Sequence, residues 1–154
     1  MSWPRSALAW IALALAAGLV AGSCGEPEPA GIAGFATATI VLDGREMAVA
    51  VADTEARRSQ GLMGVSELDG LDGMLFVFEA DTDTGFWMKN TLIALDIAFF
   101  DAAGRYVDRL TMEPCGADPC PVYRAAGMYR YALEAQEGDL SFVEVGSILT
   151  PPPG

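Results

Sequence analysis

From Phe35 onward, the sequence consists of short stretches of β-forming residues that are separated by turn-forming residues. This pattern predicts many short strands and little helix. The predicted strands span residues 35–42, 45–52, 74–78, 86–89, 95–100, 105–112, 129–135 and 147–150. Many short strands with one short helix are typical of a compact all-β sandwich or barrel.

Local signals predict how several of these elements begin and end. Asp43 and Gly44 separate the first two strands and predict a tight hairpin, because a two-residue turn there requires positive φ angles. One short helix is predicted to begin after Thr54, whose side chain suits an N-cap, and to end at Gly61. Residues 74–78 form a continuous apolar stretch, which is typical of a central strand buried on both faces.

Residues 1–23 have the composition of a lipoprotein-type export signal. Arg5 precedes an apolar stretch over residues 7–20, which as a helix would span about 21 Å and fall short of the ~30 Å hydrocarbon core of a bilayer. The last three residues of the signal, together with Cys24, read Ala-Gly-Ser-Cys (residues 21–24). They resemble the bacterial lipobox, in which a lipid is attached to the cysteine. An ordinary cleavage site beside an incidental cysteine is the alternative.

The chain therefore divides into four predicted parts. They are a signal peptide over 1–23, a lipid anchor at Cys24 with a flexible tether over 24–34, a single β domain over 35–150, and a disordered tail over 151–154. The tether is rich in Pro, Gly and Glu and cannot bury much apolar surface. We expect an exported protein, anchored by lipid to the cell membrane or outer membrane, whose domain faces the periplasm or the exterior.

Charge and composition exclude several classes of function. From Cys24 onward the chain has eight basic and 21 acidic residues, a net charge of −13, whereas nucleic-acid binding requires a basic surface. The chain contains no histidine, which excludes Ser-His-Asp and Cys-His nucleophiles and His-ligated zinc. We expect a monomer with no metal site and no cofactor, whose partner beyond the membrane is a small molecule or another protein.

Cys115 and Cys120 are separated by four residues in a segment rich in proline. In an exported protein such a pair most simply forms a loop-closing disulfide. A redox role is an alternative, which the adjacent Glu113 and Asp118 disfavour because acidic neighbours raise a thiol pKa. A copper site that includes Met112 is another alternative, because soft sulfur ligands select Cu(I).

Lys89, Asp96 and Glu134 are the candidate catalytic residues, because each is ionisable and lies in apolar surroundings. Desolvation of Lys89, the only lysine, would lower its pKa toward a base or Schiff-base role. In the structural alternative, Lys89 folds back as a hairpin neighbour of Asp96 and pairs with it. Asp96 interrupts an apolar strand, so it must be paired within a partly buried polar cluster or border a cleft.

Arg58, Trp87 and Asn90 are the candidate ligand-binding residues. Trp87 is the only tryptophan after the predicted signal, and Arg58 is a possible partner for a buried carboxylate. Asn90 has a structural alternative, because asparagine favours the corner between a strand and a turn.

Five blocks of sequence, in this order, resemble the bacterial and archaeal domain of unknown function family 192. The blocks are residues 58–64, residues 73–78, residues 86–91 with 95–97, Met112 with Pro114, Cys115, Cys120 and Pro121, and residues 131–134. The resemblance covers about residues 37–150. It implies an all-β, jelly-roll-like domain that is often exported or lipid-anchored, and it implies no particular reaction.

Three functions are compatible with these observations. The first is a lipid-anchored binding or accessory module, which the lack of a recognisable catalytic constellation favours. The second is an enzyme that uses Lys89, Asp96 and Glu134 in a cleft, and the third is copper handling through methionine and cysteine. Convergence of these three residues and Asn90 on one concave pocket would indicate an enzyme or a ligand site.

Overall fold

The computed structural model describes residues 32–153. The predicted signal, Cys24 and most of the predicted tether lie outside the described residues. Within residues 32–153, no helix is both long enough and apolar enough to cross a membrane.

The described part of the chain contains nine strands and one helix. In chain order they are β1 Ala36–Leu42, β2 Arg45–Ala52, α1 Glu55–Gln60, β3 Gly73–Thr82, β4 Phe86–Trp87, β5 Leu95–Phe100, β6 Tyr106–Met112, β7 Val122–Tyr123, β8 Tyr129–Gln136 and β9 Leu149–Thr150. The predicted all-β class with one short helix is confirmed.

Seven strands form one sheet in the order β6-β5-β8-β3-β2-β1-β9, and β4 and β7 form a second, two-stranded sheet. Neighbours in the large sheet are antiparallel except β2 and β3, which run parallel. The sheet curls so that its two edges approach each other: Arg105 beside β6 pairs with Ile148 beside β9. Of the two expected architectures, this half-barrel corresponds to the barrel.

The β1–β2 hairpin forms at Asp43 and Gly44, as predicted. Their φ angles are 50° and 79°, the positive values that a two-residue hairpin turn requires. The Asp43 carboxylate also accepts a hydrogen bond from the Ile148 N–H at 2.8 Å. The hairpin turn is therefore joined to the residues that lead into β9.

The capping residues of α1 are those that the sequence predicts. The Thr54 side chain accepts a hydrogen bond from the Arg57 N–H, and Gly61 ends the helix with a φ of 48°. Together with the loop to residue 72, α1 forms a crossover from β2 to β3, because parallel neighbours cannot be joined by a tight turn. Leu62 and Leu71 of this crossover are buried against the sheet.

The central strands β3, β5 and β8 are buried on both faces, as predicted for residues 74–78. Consecutive residues along these strands alternate between two hydrophobic cores. The first core, beneath the crossover, includes Met74, Phe76, Ile97, Phe99 and Ala132. The second core, on the opposite face, includes Leu75, Ala98, Phe100, Leu133 and Leu140. This alternation decides which face each polar residue of the central strands meets.

Cys115 and Cys120 lie at disulfide distance, with Cα atoms 5.8 Å apart, which confirms the predicted pairing. The short strand β7 follows this cysteine loop and pairs with β4, and the sequence analysis did not predict it. Cys115 also forms an isolated parallel bridge with Lys89. The cysteine loop is therefore held against the segment that carries Trp87 and Lys89.

Asp96 belongs to a buried polar cluster, as predicted. It is 1% exposed, and its carboxylate accepts hydrogen bonds from the Thr111 hydroxyl at 2.7 Å and the Gly138 N–H at 3.0 Å. Arg109 adds a cation, with its Nη1 atom 3.8 Å from the carboxylate. Asp96 of β5 therefore connects β6 to the turn that follows β8.

Replacing Asp96 with alanine is expected to lower the free energy of unfolding by about 2–4 kcal/mol, because the change leaves buried donors without their acceptor. Urea unfolding followed by circular dichroism measures this difference. Asp139→Ala, at an exposed carboxylate, is the matched control and should change stability by less than about 0.5 kcal/mol. A similarly small loss for Asp96→Ala would contradict the assigned role.

Candidate functional site

A cavity of about 430 Å³ lies between the crossover and the sheet. This volume is typical of small-molecule sites. Three segments form most of its lining: α1 with the turn after it, β3, and β4 with the two residues before it. Thr91 and Glu134 complete the lining. The cavity therefore opens on the face of the sheet that carries the first core.

Aromatic side chains form the apolar wall of the cavity. Phe76 and Phe86 meet edge to face with ring centroids 5.0 Å apart, and Phe78 meets Tyr129 in the same way at 5.5 Å. The Tyr129 hydroxyl donates a hydrogen bond to the Thr84 carbonyl, and burial raises the pKa of this phenol. Tyr129 therefore remains a neutral donor that holds the residues before β4, and with them Phe86, in place.

Arg58 is the cation of the cavity lining. Its Nη1 atom donates to the carbonyl oxygens of Asp53 and Val77, each at 2.8 Å, and its guanidinium carbon lies 4.9 Å from the centroid of the Phe78 ring. The neighbouring Arg57 pairs with the Asp53 carboxylate at 2.7 Å, but within residues 32–153 Arg58 has no carboxylate within 4.0 Å. Backbone carbonyls therefore position the Arg58 guanidinium. Arg57 through its hydrogen bond, and Arg58 at longer range, hold the pKa of Asp53 below its usual value.

Glu134 is the carboxylic acid at the sheet side of the cavity. The strand β8 places it between Met74 of β3 and Ile97 of β5, and it is 5% exposed. Across the described residues, no hydrogen bond or cation acts on its carboxyl group, and burial alone raises its pKa from 4.5 to about 8. The group is therefore largely protonated at neutral pH.

The Glu134 carboxyl meets the cavity and is not sealed inside the protein. In the described part of the chain, every fully enclosed side-chain oxygen and nitrogen has a hydrogen-bond partner. A carboxyl group without a partner must therefore retain some accessible surface, and Glu134 lines the cavity. A molecule in the cavity can reach it.

Lys89 does not pair with Asp96, so this prediction is wrong. Lys89 forms an ion pair with Asp118 of the cysteine loop, and its Nζ atom lies 5.9 Å from the centroid of the Trp87 ring. The reason is that Lys89 bridges to Cys115 in parallel, so the cysteine loop, and not β5, lies beside it. Asp96 points to the opposite face of the sheet from the cavity, because it shares that face with Ala98.

Asn90 has the structural role that the sequence analysis considered for it. Its φ of 57° is positive, which asparagine tolerates better than most residues. Its N–H donates to the Cys115 carbonyl at 3.0 Å, and its carbonyl accepts a hydrogen bond from the Gly64 N–H at 2.9 Å. Asn90 thus holds the corner after β4 and joins the cysteine loop to the crossover.

The cavity brings together three of the six candidate residues. Arg58, Trp87 and Glu134 line it, and the others lie outside its lining: Lys89, Asn90 and Asp96. Of the four residues whose convergence would indicate an enzyme or a ligand site, only Glu134 lines the cavity. The predicted set therefore does not converge, and a ligand site must rest on Glu134 together with Arg58 and Trp87.

The sequence analysis missed the aromatic wall formed by Phe76, Phe78 and Phe86. One signal was present: Phe76 and Phe78 are two residues apart, so in a strand they share a face. No local signal shows that the crossover covers that face, because this arrangement depends on the parallel pairing of β2 with β3.

The residues of the copper hypothesis have other roles in the structure. Met112 is fully buried in the first core, and Cys115 and Cys120 are joined to each other. Among residues 32–153, no group of three or more His, Cys, Asp or Glu side chains is arranged to hold a metal ion.

Comparisons with known proteins place these observations in a family. The model of the domain of unknown function family 192, described as "Uncharacterized ACR", matches residues 38–149. No functionally curated protein matches the sequence significantly.

Two solved structures are similar to this chain. One is a protein of unknown function from Novosphingobium aromaticivorans DSM 12444, with 25% sequence identity and a TM-score of 0.69 over 78% of this chain and 89% of that chain. The other is from Sinorhizobium meliloti 1021 and is described as a candidate transcription regulator, with 27% identity and a TM-score of 0.67 over 78% of this chain and 97% of that chain.

The raised pKa of Glu134 predicts that stability falls as pH rises. Between pH 4.5 and about 8, the folded state retains a proton that the unfolded state has released, so the free energy of unfolding decreases through this range. The loss is on the order of 3–5 kcal/mol once Glu134 is fully ionised. Glu134→Gln carries no charge, so its stability relative to the wild type should increase from pH 5 to pH 9 in urea unfolding.

The control for this measurement is Glu137→Gln, which makes the same change at an exposed position one residue beyond β8. Its free energy of unfolding should change with pH as that of the wild type does, because the acidic net charge affects both proteins in nearly the same way. Parallel pH profiles for Glu134→Gln and the wild type would show that Glu134 ionises normally in the folded state.

Proposed function

The chain belongs to the domain of unknown function family 192, and we propose that its β domain binds a small organic molecule in the cavity between Arg58 and Glu134. One observation carries the proposal: the carboxyl of Glu134 is buried without a partner in the described structure, yet it opens onto a cavity of about 430 Å³.

An unpaired buried carboxyl lowers the stability of the protein that contains it. An apolar residue at position 134 would instead extend the first core, whose members Met74 and Ile97 flank the position on both sides. A ligand that enters the cavity would supply the partner that the described chain does not. In small-molecule sites, positioned polar groups beside apolar and aromatic side chains orient the ligand, and the lining of this cavity contains both kinds of side chain.

Binding fits this site better than catalysis does. Acid–base catalysis usually needs a second group that can exchange a proton with the substrate, but Lys89 is paired with Asp118 and Asp96 lies on the opposite face of the sheet. Arg58 can hold an anion, yet its guanidinium remains protonated. Glu55 is the second carboxylic acid of the lining, but it is exposed on the first turn of α1, whereas Glu134 is buried on β8. The arrangement therefore suits recognition better than it suits a matched acid–base pair.

A nucleic-acid role is not part of this proposal. The similar protein from Sinorhizobium meliloti is described as a candidate transcription regulator, but the present chain has a formal net charge of −12. Binding to phosphates requires unpaired basic side chains, whereas several basic residues here pair with aspartates: Arg57, Lys89, Arg105, Arg109 and Arg130.

We also propose that the protein is exported and anchored through a lipid on Cys24, with the domain facing the periplasm or the exterior. The lipobox-like residues 21–24 and the Pro-rich tether support this location. The pairing of Cys115 with Cys120 also supports it, because disulfides persist mainly in oxidising compartments outside the cytoplasm.

A thermal-shift screen with small organic metabolites tests the binding proposal. At least one compound is expected to raise the Tm of the full-length protein in detergent, and Glu134→Gln should lose most of that shift, because an amide cannot ionise to pair with the ligand. Glu137→Gln should retain the full shift. A screen without any hit, or hits that shift Glu134→Gln as strongly as the wild type, would contradict the proposal.

Labelling with a radioactive fatty acid tests the anchor. The wild type should incorporate label and sediment with membranes, and Cys24→Ser should do neither, because serine lacks the thiol that accepts the lipid. Cys120→Ser makes the same chemical change at a cysteine outside the lipobox and should remain labelled. If Cys24→Ser is processed and membrane-bound like the wild type, the lipoprotein assignment is incorrect.

A further inference from the structure

Three ionisable side chains line the cavity without an ion-pair partner within 4.0 Å among the described residues: Glu55, Arg58 and Glu134. Glu55 is exposed, whereas Arg58 and Glu134 lie beside different positions of β3. Glu134 is paired across strands with Met74, whereas the Arg58 guanidinium lies over Phe78. Phe78 lies four positions after Met74 along β3, which corresponds to about 13 Å of strand. Arg58 does not lower the pKa of Glu134, which burial alone determines. A separation of this size explains why the two groups do not pair with each other.

Each end favours a different chemical group. A desolvated carboxylate gains most from a cation that also donates hydrogen bonds, and an ammonium group provides both. The Nη1 atom of Arg58 donates hydrogen bonds to two backbone carbonyls. The guanidinium group has further N–H donors, and their planar arrangement matches a carboxylate. Phe76 and Phe86, packed edge to face, lie in the same cavity and offer an apolar surface to the part of the ligand that joins its two ends.

We propose that the ligand is a bipolar molecule that has an amino group bound by Glu134, a carboxylate bound by Arg58, and a short apolar body against the aromatic wall. This inference rests on the proposed binding function. A simple amine would leave Arg58 without a carboxylate within ion-pair distance among the described residues, and a simple carboxylate would leave Glu134 without a cation. The acidic net charge of the protein also favours the approach of the amino end.

Binding of the amino group requires the ionised form of Glu134, so a proton is released when the ligand binds. The charged side chains that line the cavity besides Glu134 are Glu55 and Arg58, both from α1, and β3 and β4 contribute aromatic side chains. The neighbour from β5 is Ile97, which is apolar. As the pH increases toward about 8, affinity for the ligand should therefore rise about tenfold for each pH unit. A neutral ligand that accepts a hydrogen bond from protonated Glu134 would show the opposite trend.

Isothermal titration calorimetry with unbranched ω-amino acids tests the inference on the full-length protein. The probes are 4-aminobutyrate, 6-aminohexanoate and 8-aminooctanoate, with hexylamine and hexanoate as single-ended controls. The amino acid of the best length should bind at least about tenfold more tightly than either control. Titrations in buffers of different ionisation enthalpy should reveal release of nearly one proton at pH 7.

Variants assign each end of the ligand to its residue. Glu134→Gln should weaken 6-aminohexanoate by at least about tenfold and leave hexanoate unchanged. Arg58→Lys, which keeps the charge but loses the planar donors, should weaken 6-aminohexanoate and hexanoate and leave hexylamine unchanged. Glu137→Gln should leave every affinity unchanged. The pH dependence of ligand affinity in the wild type tests the role of Glu134 even if a variant does not fold.

Two results would overturn the inference. One is a single-ended control that binds as tightly as the best amino acid, and the other is an affinity that falls between pH 6 and pH 8. If the amino acids do not bind but another compound gives a Glu134-dependent thermal shift, the ligand class is wrong and the binding function stands. If no compound gives a Glu134-dependent thermal shift, both the proposed ligand class and the proposed binding function are wrong.

Discussion

Burial of the central strands on both faces is the constraint on which the rest of the structure depends. The strands β5, β8 and β3 lie side by side in the sheet, and their residues alternate between two hydrophobic cores. Each core needs its own cover, because apolar side chains on an open face would remain in water. The crossover and the β4–β7 pair cover the first core, whereas β1, β9 and the segment before β9 cover the second.

The cavity is a consequence of how the first core is covered. The parallel pairing of β2 and β3 requires a crossover, and this one consists of a six-residue helix and a loop. Such a short helix leaves a gap between itself and the aromatic side chains of β3 and β4, and this gap is the cavity. Arg58 lies on the helix side of the gap and Glu134 on the sheet side, so recognition groups face each other across apolar walls.

Local signals explain which parts of the fold could be predicted from the sequence. The β1–β2 hairpin, both caps of α1 and the bounds of β5 each depend on a few adjacent residues, and each is confirmed. The parallel pairing of β2 with β3 and the pairing of Lys89 with Asp118 depend on contacts between distant residues, for which no local pattern exists. The same holds for the site: Arg58, Trp87 and Glu134 are conspicuous by residue type, but only the tertiary structure gathers them.

Asp96 and Glu134 show that one kind of residue can have two different roles in the same sheet. Both are carboxylic acids that are at most 5% exposed, and they lie on adjacent strands but on opposite faces. Asp96 receives hydrogen bonds from Thr111 and Gly138 and has Arg109 nearby, so its burial connects parts of the fold. Glu134 receives nothing comparable from the described chain, and burial raises its pKa because ionising it there is costly. Because the contacts of residues 32–153 do not account for a carboxyl in that position, its partner is best sought in the cavity that it faces.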